Sequence, residues 1–375
     1  MALTVRRADT PGEREAIFRF RYRVYVEELS MTEDADHTGK RLLDDYDEYA
    51  VSHAVFDNDK IMGSLRVIHP ADMPDPKSLV AKFQMDAAIE AMGLGGICTT
   101  SRFILDPSLR HGKIIFRLMQ SAYKEAAARG ALLNYGDCSP HLLPFYEHLG
   151  YRRYTEGYND TAYGFKVPIL MLMGDQEYFE KVRSPLRRLA NEAPDNARGR
   201  NWFTSNYPDY LNLESAAFLE DDVFFDLLSE RVSGDPLHKV ILLDGLSREE
   251  AQKFLSSATM IELASGDLIM RQGDRDDTLY VLLSGLAEVF SDGSSGPPLY
   301  ILGPGDTFGE IGFLTAVPRT ASVVARKDTR ALLLSAEFME RFISQEPAIG
   351  AKVMLNLARE IAGRLAVATS QIANK

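Results

Sequence analysis

The chain has 375 residues, 45% of them hydrophobic and 26% charged, which is the balance of a soluble globular protein. That length exceeds one ordinary core, so two or three domains are expected. A net charge of −12 argues against a mainly electrostatic nucleic-acid binder, which usually carries a basic balance.

Helical and strand patterns alternate from Leu3 to about Leu172, as in an α/β domain. Pro11 to Leu29 predicts a helix with Ile17, Phe20, Val24 and Tyr25 on one side. Tyr49–Phe56 and Lys60–Ile68 predict two strands joined by the polar turn Asp57-Asn58-Asp59. Pro76 to Met92 predicts a helix, Ile97–Leu105 a strand, and Lys113–Arg129 an amphipathic helix stopped by Gly130. Leu132–Tyr135 and Pro140–Leu149 follow as a short strand and a short helix. Leu189–Arg200, polar and broken by Pro194 and Gly199, is the expected linker. Leu213–Arg231 predicts acidic connecting helices through which two domains would couple. From about Val240, short strands separated by Gly266-Asp267, Gly273-Asp274, Asp292-Gly293 and Gly305-Asp306 predict a small β-barrel or jelly roll. A long helix from Pro347 to about Ile372 closes the chain. Its apolar stripe, Val353, Leu357, Ile361, Leu365, Ala368 and Ile372, suits either a homodimer seam or packing on its own barrel.

No apolar run approaches the roughly 18 residues of a bilayer span. Met1–Arg7 leads into no signal-peptide core, and Cys98 and Cys138 supply neither a disulfide framework nor a metal cluster. A cytoplasmic location without metal is expected.

The most informative segment is Phe308 to Ser322, which reads FGEIGFLTAVPRTAS. It resembles the phosphate-binding cassette of cyclic-nucleotide-binding domains, and the likeness extends over about residues 240–372 through the glycine and acidic turns. The resemblance implies a β-roll with flanking helices that binds cAMP or cGMP as an allosteric ligand. An anionic phosphate and a ribose hydroxyl call for backbone donors, one cation and one acceptor. On the family pattern Arg319 would fork onto the phosphate and Glu310 would accept from the ribose 2′-hydroxyl. Gly309 would let the backbone approach, with Ile311, Thr320 and Ala321 completing the cassette. A hydroxyl at Thr320 permits cGMP without excluding cAMP. No DNA-reading helix-turn-helix is expected after the last helix, so the transcription-factor version of this domain is disfavoured.

The N-terminal half carries His141 to Tyr151, HLLPFYEHLGY, which resembles the late signature of the GNAT acyltransferase fold, a mixed sheet flanked by helices. Arg110-His111-Gly112-Lys113 before a helix resembles that fold's pyrophosphate loop, which would make Arg110, Gly112 and Lys113 contacts to an acyl-CoA or acyl carrier protein. The order RYRVYVEE from Arg21, DDYD from Asp44, GSLR from Gly63 and SRF from Ser101 is similar to acyl-homoserine-lactone synthases and the related N-acyl amino acid synthases. Thr99 and Ser30-Met31 depart from the lactone-synthase pattern, and the tail Val167–Leu172 with Ser184-Pro185-Leu186 points to the amino acid branch. The resemblance implies that Arg21, Asp44, Asp47, Arg66 and Arg102 anchor the first helix, orient the amine and hold its carboxylate. Tyr146 either protonates the leaving thiolate or packs. His53 is a strand base or a structural histidine. Arg117, Arg152 and Arg153 suit the carrier or a solvated surface.

The expected domains are therefore 1–190, a GNAT-like acyltransferase; 191–239, linker and connecting helices; and 240–375, the nucleotide sensor. The expected function is cyclic-nucleotide-regulated transfer of an acyl group from a thioester to an amine, an amino acid in the first reading. The alternatives are a cAMP-dependent protein lysine acetyltransferase and a non-catalytic cyclic-nucleotide sensor.

Overall fold

A computed structural model of the chain describes residues 3–28, 35–110, 112–160, 164–192, 195–211, 225, 228–229, 235–255, 258–292 and 297–373. It divides into two units: Met1–Cys138, Phe145–Thr155 and Asp160–Leu213 form the first, and Ser139–Pro144, Glu156–Asn159 and Glu214–Lys375 the second. Among the described residues no helix is long and apolar enough to cross a membrane.

The first unit is built on one sheet of β1 (Thr4–Arg7), β2 (Ala50–Asp57), β3 (Lys60–Ile68), β4 (Ile97–Leu105), β5 (Leu133–Cys138), β6 (Tyr151–Arg153) and β8 (Gly164–Leu172), with β7 (Tyr158–Asp160) between the last two in sequence. The order is β1-β2-β3-β4-β5-β8-β6. Pairs β1–β2, β2–β3, β3–β4, β5–β8 and β6–β8 are antiparallel, whereas β4 and β5 are parallel. The parallel pairing joins Ile97–Thr99 to Leu133–Tyr135 and then stops, although both strands continue. On its other side β4 is bulged: Ser101 faces Arg66 and Ile104 faces Ser64, so Arg102 and Phe103 share Leu65, and Arg102 takes a φ of 52°. The split and the bulge open the sheet at the same end of β4.

Strand alternation and register place Ser52, Arg66, Ser101 and Tyr135 on one face. Helix α1 (Pro11–Tyr22), started by a Thr10–Glu13 capping box, covers part of it. Its Ile17, Phe18 and Phe20 pack with Ala54, Phe56 and Ile104. It runs on into a π-helical turn, Arg23–Glu28. Further along, α2 (Lys77–Phe83) and α3 (Asp86–Met92) bury Leu79, Phe83 and Ala88 against Ile68, Ile97, Tyr135 and Leu170. The single helix expected over Pro76–Met92 is two, because Gln84 takes a φ of 52° and breaks it. Helix α4 (Ile114–Ala128) covers the opposite face, burying Leu118, Met119, Ala122 and Ala126.

Helices α5 (Leu143–Leu149), α6 (Gln176–Lys181), α7 (Arg187–Glu192) and α8 (Ala197–Asn206) complete this half. The stretch expected as linker, Leu189–Arg200, is instead largely helical. Its polar residues are consumed locally: Asn196 caps α8, and Arg200 pairs with Asp175 at 3.2 Å. Just beyond, Trp202 and Phe203 enter the core beside Phe83 and Leu170.

The second unit is the expected β-roll with flanking helices. Its two four-stranded sheets have the orders β10-β15-β12-β13 and β14-β11-β16-β9. The strands are β9 (Thr259–Leu263), β10 (Leu268–Met270), β11 (Thr278–Ser284), β12 (Ala287–Phe290), β13 (Tyr300–Leu302), β14 (Thr307–Phe308), β15 (Ser322–Ala325) and β16 (Thr329–Ser335). Gly285 shows why glycines punctuate them: its φ is 92°, and a Cβ there would lie 2.5 Å from the Asp328 carbonyl. The helices are α9 (Pro236–Lys239), α10 (Arg248–Leu255), α11 (Glu310–Thr315), α12 (Ala336–Gln345) and α13 (Pro347–Ala373). Val353 and Leu357 of α13 are fully buried against Leu242, Phe254, Phe338 and Phe342. The first half of the apolar stripe therefore packs on its own unit, while Leu365 is exposed. The side chains of Ala368 and Ile372, and most of Leu213–Arg231, lie outside the described residues.

His53 on β2 and His69 are buried at 3% exposure each. Burial first, then the charge of Arg7 or Arg129, pushes both down to about 4. A histidine with a folded pKa below its unfolded value of about 6.5 stabilises fully above that value and loses its contribution as pH falls. Thermal stability should therefore decline between about pH 6.5 and 4, by up to about 3 kcal/mol per histidine. Melting curves of the chain and of a His53→Gln/His69→Gln variant check this; an equally steep pH slope in the variant would refute it.

Candidate functional site

Four elements of the first unit converge on a buried cluster of charge. Arg21 comes from the last turn of α1, and Asp44 and Asp47 from a 3-10 turn at Asp45–Glu48. Arg66 comes from the middle of β3, and Arg102 from the bulge of β4. Arg21 Nη1 donates to Asp47 Oδ1 at 2.7 Å, and Arg66 Nη1 lies 2.9 Å from the same oxygen. Arg66 forks onto Asp44 at 2.5 and 2.8 Å, and Arg102 Nη2 donates to Asp44 Oδ2 at 2.9 Å. Arg66 Nε also donates to Ser101 Oγ at 3.0 Å.

The turn is locked by its own aspartates, because Asp44 accepts from the Tyr46 amide and Asp47 from the Asp44 amide, each at 3.1 Å. Arg21 is completely buried, and Arg66 and Asp47 are 3% exposed. Burial by itself would raise the Asp44 carboxyl, but hydrogen bonds and charge from Arg66, then Arg102, outweigh it and hold the group well below the usual range. Asp47 is lowered in the same way, with Arg21 and Arg66 overcoming burial. Three guanidiniums against two carboxylates leave one positive charge, and Arg21 Nε and Nη2 are buried without a partner. The arrangement can receive one further anion, such as a carboxylate.

Tyr146 on α5 stands edge-on to Tyr151, with centroids 5.5 Å apart. Burial raises its hydroxyl well above the usual value, so it stays protonated and can donate. Arg102 lies over the ring of Tyr25 at 5.5 Å, and Tyr25 is close enough to Tyr146 to act on its charge. Tyr25 thus links the arginine cluster to the phenol. His53 is set on the α4 side, where its Nδ1 meets Ser121 Oγ at 2.8 Å. The structure does not bring it to the cluster, so it is packing and not a base there.

The expected anion loop is less open than its sequence suggests. Arg110 pairs with Glu28 at 2.5 Å and donates to the Leu105 carbonyl at 3.3 Å. The amides of Arg110 and Gly112 already donate to Pro107 and Leu109, because the 3-10 turn after Asp106 consumes them. Lys113 is exposed at the start of α4, and His111 lies outside the described residues. Arg152 and Arg153 are not carrier-facing surface charges. Arg152 pairs with the buried Asp175 and stacks 3.7 Å over Tyr178, and Arg153 pairs with Glu147 at 3.2 Å.

In the second unit Arg319 is 2% exposed and densely bonded. It donates to the Gly309 carbonyl at 2.7 Å, to Asp276 Oδ2 at 2.5 Å and to the Thr278 carbonyl at 2.6 Å. Its Nε remains buried without a partner. Gly309, expected to let the backbone approach a ligand, has a nearer task. Its φ is 81°, and a Cβ there would lie 2.6 Å from Arg319 Nη1 and 2.9 Å from the Thr278 carbonyl. The glycine makes room for the arginine.

Glu310 follows at the start of α11 and is engaged by Arg364 of α13 at 3.3 Å. Arg364 also donates to the Thr307 carbonyl at 2.6 Å, and Glu360 accepts from the Thr307 amide and hydroxyl at 3.0 and 2.7 Å. Ile311 and Thr320 are exposed and Ala321 is buried. Asp276, Glu360 and Arg364 were not singled out from the sequence. Asp276 sits in an acidic run, Asp274 to Asp277, and the other two in a helix chosen for its apolar stripe, so no local signal marks them. The Nε of Arg319, buried without a partner, fits an anion, and the carboxylate of Glu310 can accept from a hydroxyl.

Residues 16–175 match the family model described as N-acyl amino acid synthase FeeM, and residues 260–346 match that of the cyclic nucleotide-binding domain. Over 107 residues the chain is 35% identical to a cAMP-dependent protein kinase regulatory subunit of Aspergillus niger, covering 28% of this chain and 26% of that one. Over 122 residues it is 34% identical to the cyclic AMP receptor protein of Thermus thermophilus, covering 32% and 56%. The crystal structure of the Thermus thermophilus catabolite activator protein is similar at 35% identity and a TM-score of 0.33, over 36% of this chain and 62% of that one. The chain spans from about a quarter to just over half of the length of these curated relatives. It therefore carries two matched segments in series, one with the sequence of the N-acyl amino acid synthase FeeM family and one of the cyclic nucleotide-binding family.

Proposed function

We propose that the chain is a GNAT-fold N-acyltransferase, moving an acyl group from a thioester of coenzyme A or an acyl carrier protein to the amine of an amino acid under cyclic-nucleotide control. The observation that carries this reading is the single ion network joining Arg21, Asp44, Asp47, Arg66 and Arg102 at the opened end of β4. The split between two parallel strands and the bulge beside it support the GNAT assignment, since both interrupt the ladder where a strand N–H could polarise a thioester carbonyl.

In this reading the arginines fix the acceptor's carboxylate and Tyr146 supplies the proton that the departing sulfur needs. Cys138 forms no acyl-enzyme: burial raises its thiol far above the physiological range, so the thiolate is scarce. Arg110 and Lys113 flank the carrier's path.

In the sensor, Arg319 would hold the cyclic phosphate through Nε and Glu310 the ribose 2′-hydroxyl, with Thr320 beside them for cAMP or cGMP. The regulatory element is the clasp between Glu310 and Arg364. A ligand that claims Glu310 competes with Arg364, and the differential strength of that contact shifts α13 between two positions. The acyltransferase half responds to that shift.

The test is product analysis by mass spectrometry of the purified chain with long-chain acyl carrier protein or acyl-CoA, free amino acids, and cAMP or cGMP. An amide product whose rate changes with nucleotide is expected; no amide from any donor would sink the reading. Glu310→Ala should weaken cAMP binding at least tenfold, about 1.4 kcal/mol, by titration calorimetry. Arg66→Met should cost about 1.5–3 kcal/mol in urea unfolding, because it removes the guanidinium that Asp44 and Asp47 share and leaves each with a single arginine partner.

A further inference from the structure

The face that carries the arginine cluster bears a second polar group one strand further on. Register sets Tyr135 of β5 beside Thr99 of β4 and opposite Leu170 of β8. Two residues on, the pleat returns Asp137 to that face, next in line after Arg66 and its partner Ser101. By this point β4 and β5 no longer pair, so Asp137 stands at the split.

Lys82 of α2 reaches Asp137 Oδ2 at 3.0 Å, with the carboxylate 19% and the lysine 37% exposed. Lys166 enters on β8, also on this face by alternation from Leu170. Burial lowers its pKa, with the charge of Asp137 acting against that shift. Asp137 acts on Tyr146 as well, which places the carboxylate near the proposed sulfur proton donor. Two lysines and an aspartate at the open end of a largely buried sheet face are costly to desolvate. Such an arrangement fits a ligand that carries both charges.

We propose that Asp137 and Lys82, with Lys166 beside them, form the acceptor subsite for a free zwitterionic α-amino acid. Asp137 takes the ammonium, and the lysines share the carboxylate with the arginine cluster. The internal Lys82–Asp137 pair already presents one charge of each sign, so a zwitterion exchanges one ion pair for two. The assignment rests on the acyltransfer reading and adds the residues that hold its acceptor.

The step is balanced as follows. Asp137 removes one proton from the ammonium, and the freed lone pair forms the C–N bond at the thioester carbonyl. The C–S bond then breaks, its electron pair leaving on sulfur, which takes the Tyr146 proton. The second nitrogen proton restores Tyr146, and Asp137 returns its proton to solvent. Ammonium and thioester become amide, thiol and one released proton.

The test uses the full chain, with equilibrium dialysis of each common L-amino acid and the methyl ester of each one that binds, alongside steady-state kinetics. At least one amino acid should bind tenfold or more tightly than its ester. Asp137→Asn should raise the acceptor KM or Kd at least tenfold while the donor KM stays within twofold. Lys82→Met, at a half-exposed position, should erase the preference for acid over ester. Failure of every amino acid to bind, or an unchanged acceptor constant in Asp137→Asn, overturns the subsite even if amide forms. Binding that depends on Asp137 without amide from any donor supports the subsite and removes the acyltransfer reading instead.

Discussion

A guanidinium cannot be buried unless something answers its charge, and this requirement organises the first unit. Arg21 is sealed completely inside the protein, and Asp47 meets it from a different part of the chain. Asp47 can do so only because the 3-10 turn is closed by Asp44, and Asp44 in turn is gripped by Arg66 and Arg102. Removing either carboxylate leaves guanidinium charge unanswered in low dielectric, and removing Arg66 leaves each carboxylate with a single partner, so the five residues behave as one element. They tie α1, the turn, β3 and the bulged β4 together at the place where the sheet opens. Geometry that serves stability here also holds one excess positive charge, and two unpartnered guanidinium nitrogens, in a fixed position.

The second unit meets the same constraint with different parts. Arg319 is buried and answered by Asp276 and two carbonyls, and Gly309 exists to let it in. In both units a buried arginine keeps donors without a partner, Nε and Nη2 of Arg21 and Nε of Arg319. A pre-paid, rigid cation of this kind costs little to reorganise when an anion arrives. The reserve is what makes each arrangement more than a salt bridge. In the same unit the Glu310–Arg364 contact joins the short α11 to a long helix that is half buried and half exposed.

Much of the architecture could be read in advance because its signals are local. Gly130 stops α4, the Gly-Asp turns divide the roll, and the bounds of β3 and β4 are those the apolar alternation predicts. Residue types at family spacing also singled out Arg21, Asp44, Asp47, Arg66 and Arg102, which the structure joins in one ion network, and Glu310 and Arg319, which it pairs with Arg364 and Asp276. The failures are equally instructive. Leu189–Arg200 looked like a linker because its polar residues had no visible partners, yet Asn196 caps its own helix and Arg200 pairs with Asp195 nearby and with Asp175, 25 positions away. Arg152 and Arg153 looked like surface cations for the same reason.

What the sequence alone determined is therefore the set of elements and the identity of the charged residues that seek burial, since periodicity, punctuation and composition act over a few neighbours. Only the tertiary structure decided who answers each charge. Asp276 lies 43 positions from Arg319, Glu310 54 from Arg364, and Asp44 58 from Arg102. Pairings at such separations are chosen by sheet register, by the bulge at Arg102 and by the packing of α13, none of which has a local signature. The same holds for Asp137 and Lys82, which become neighbours only when α2 closes over β5 at the point where that strand leaves β4.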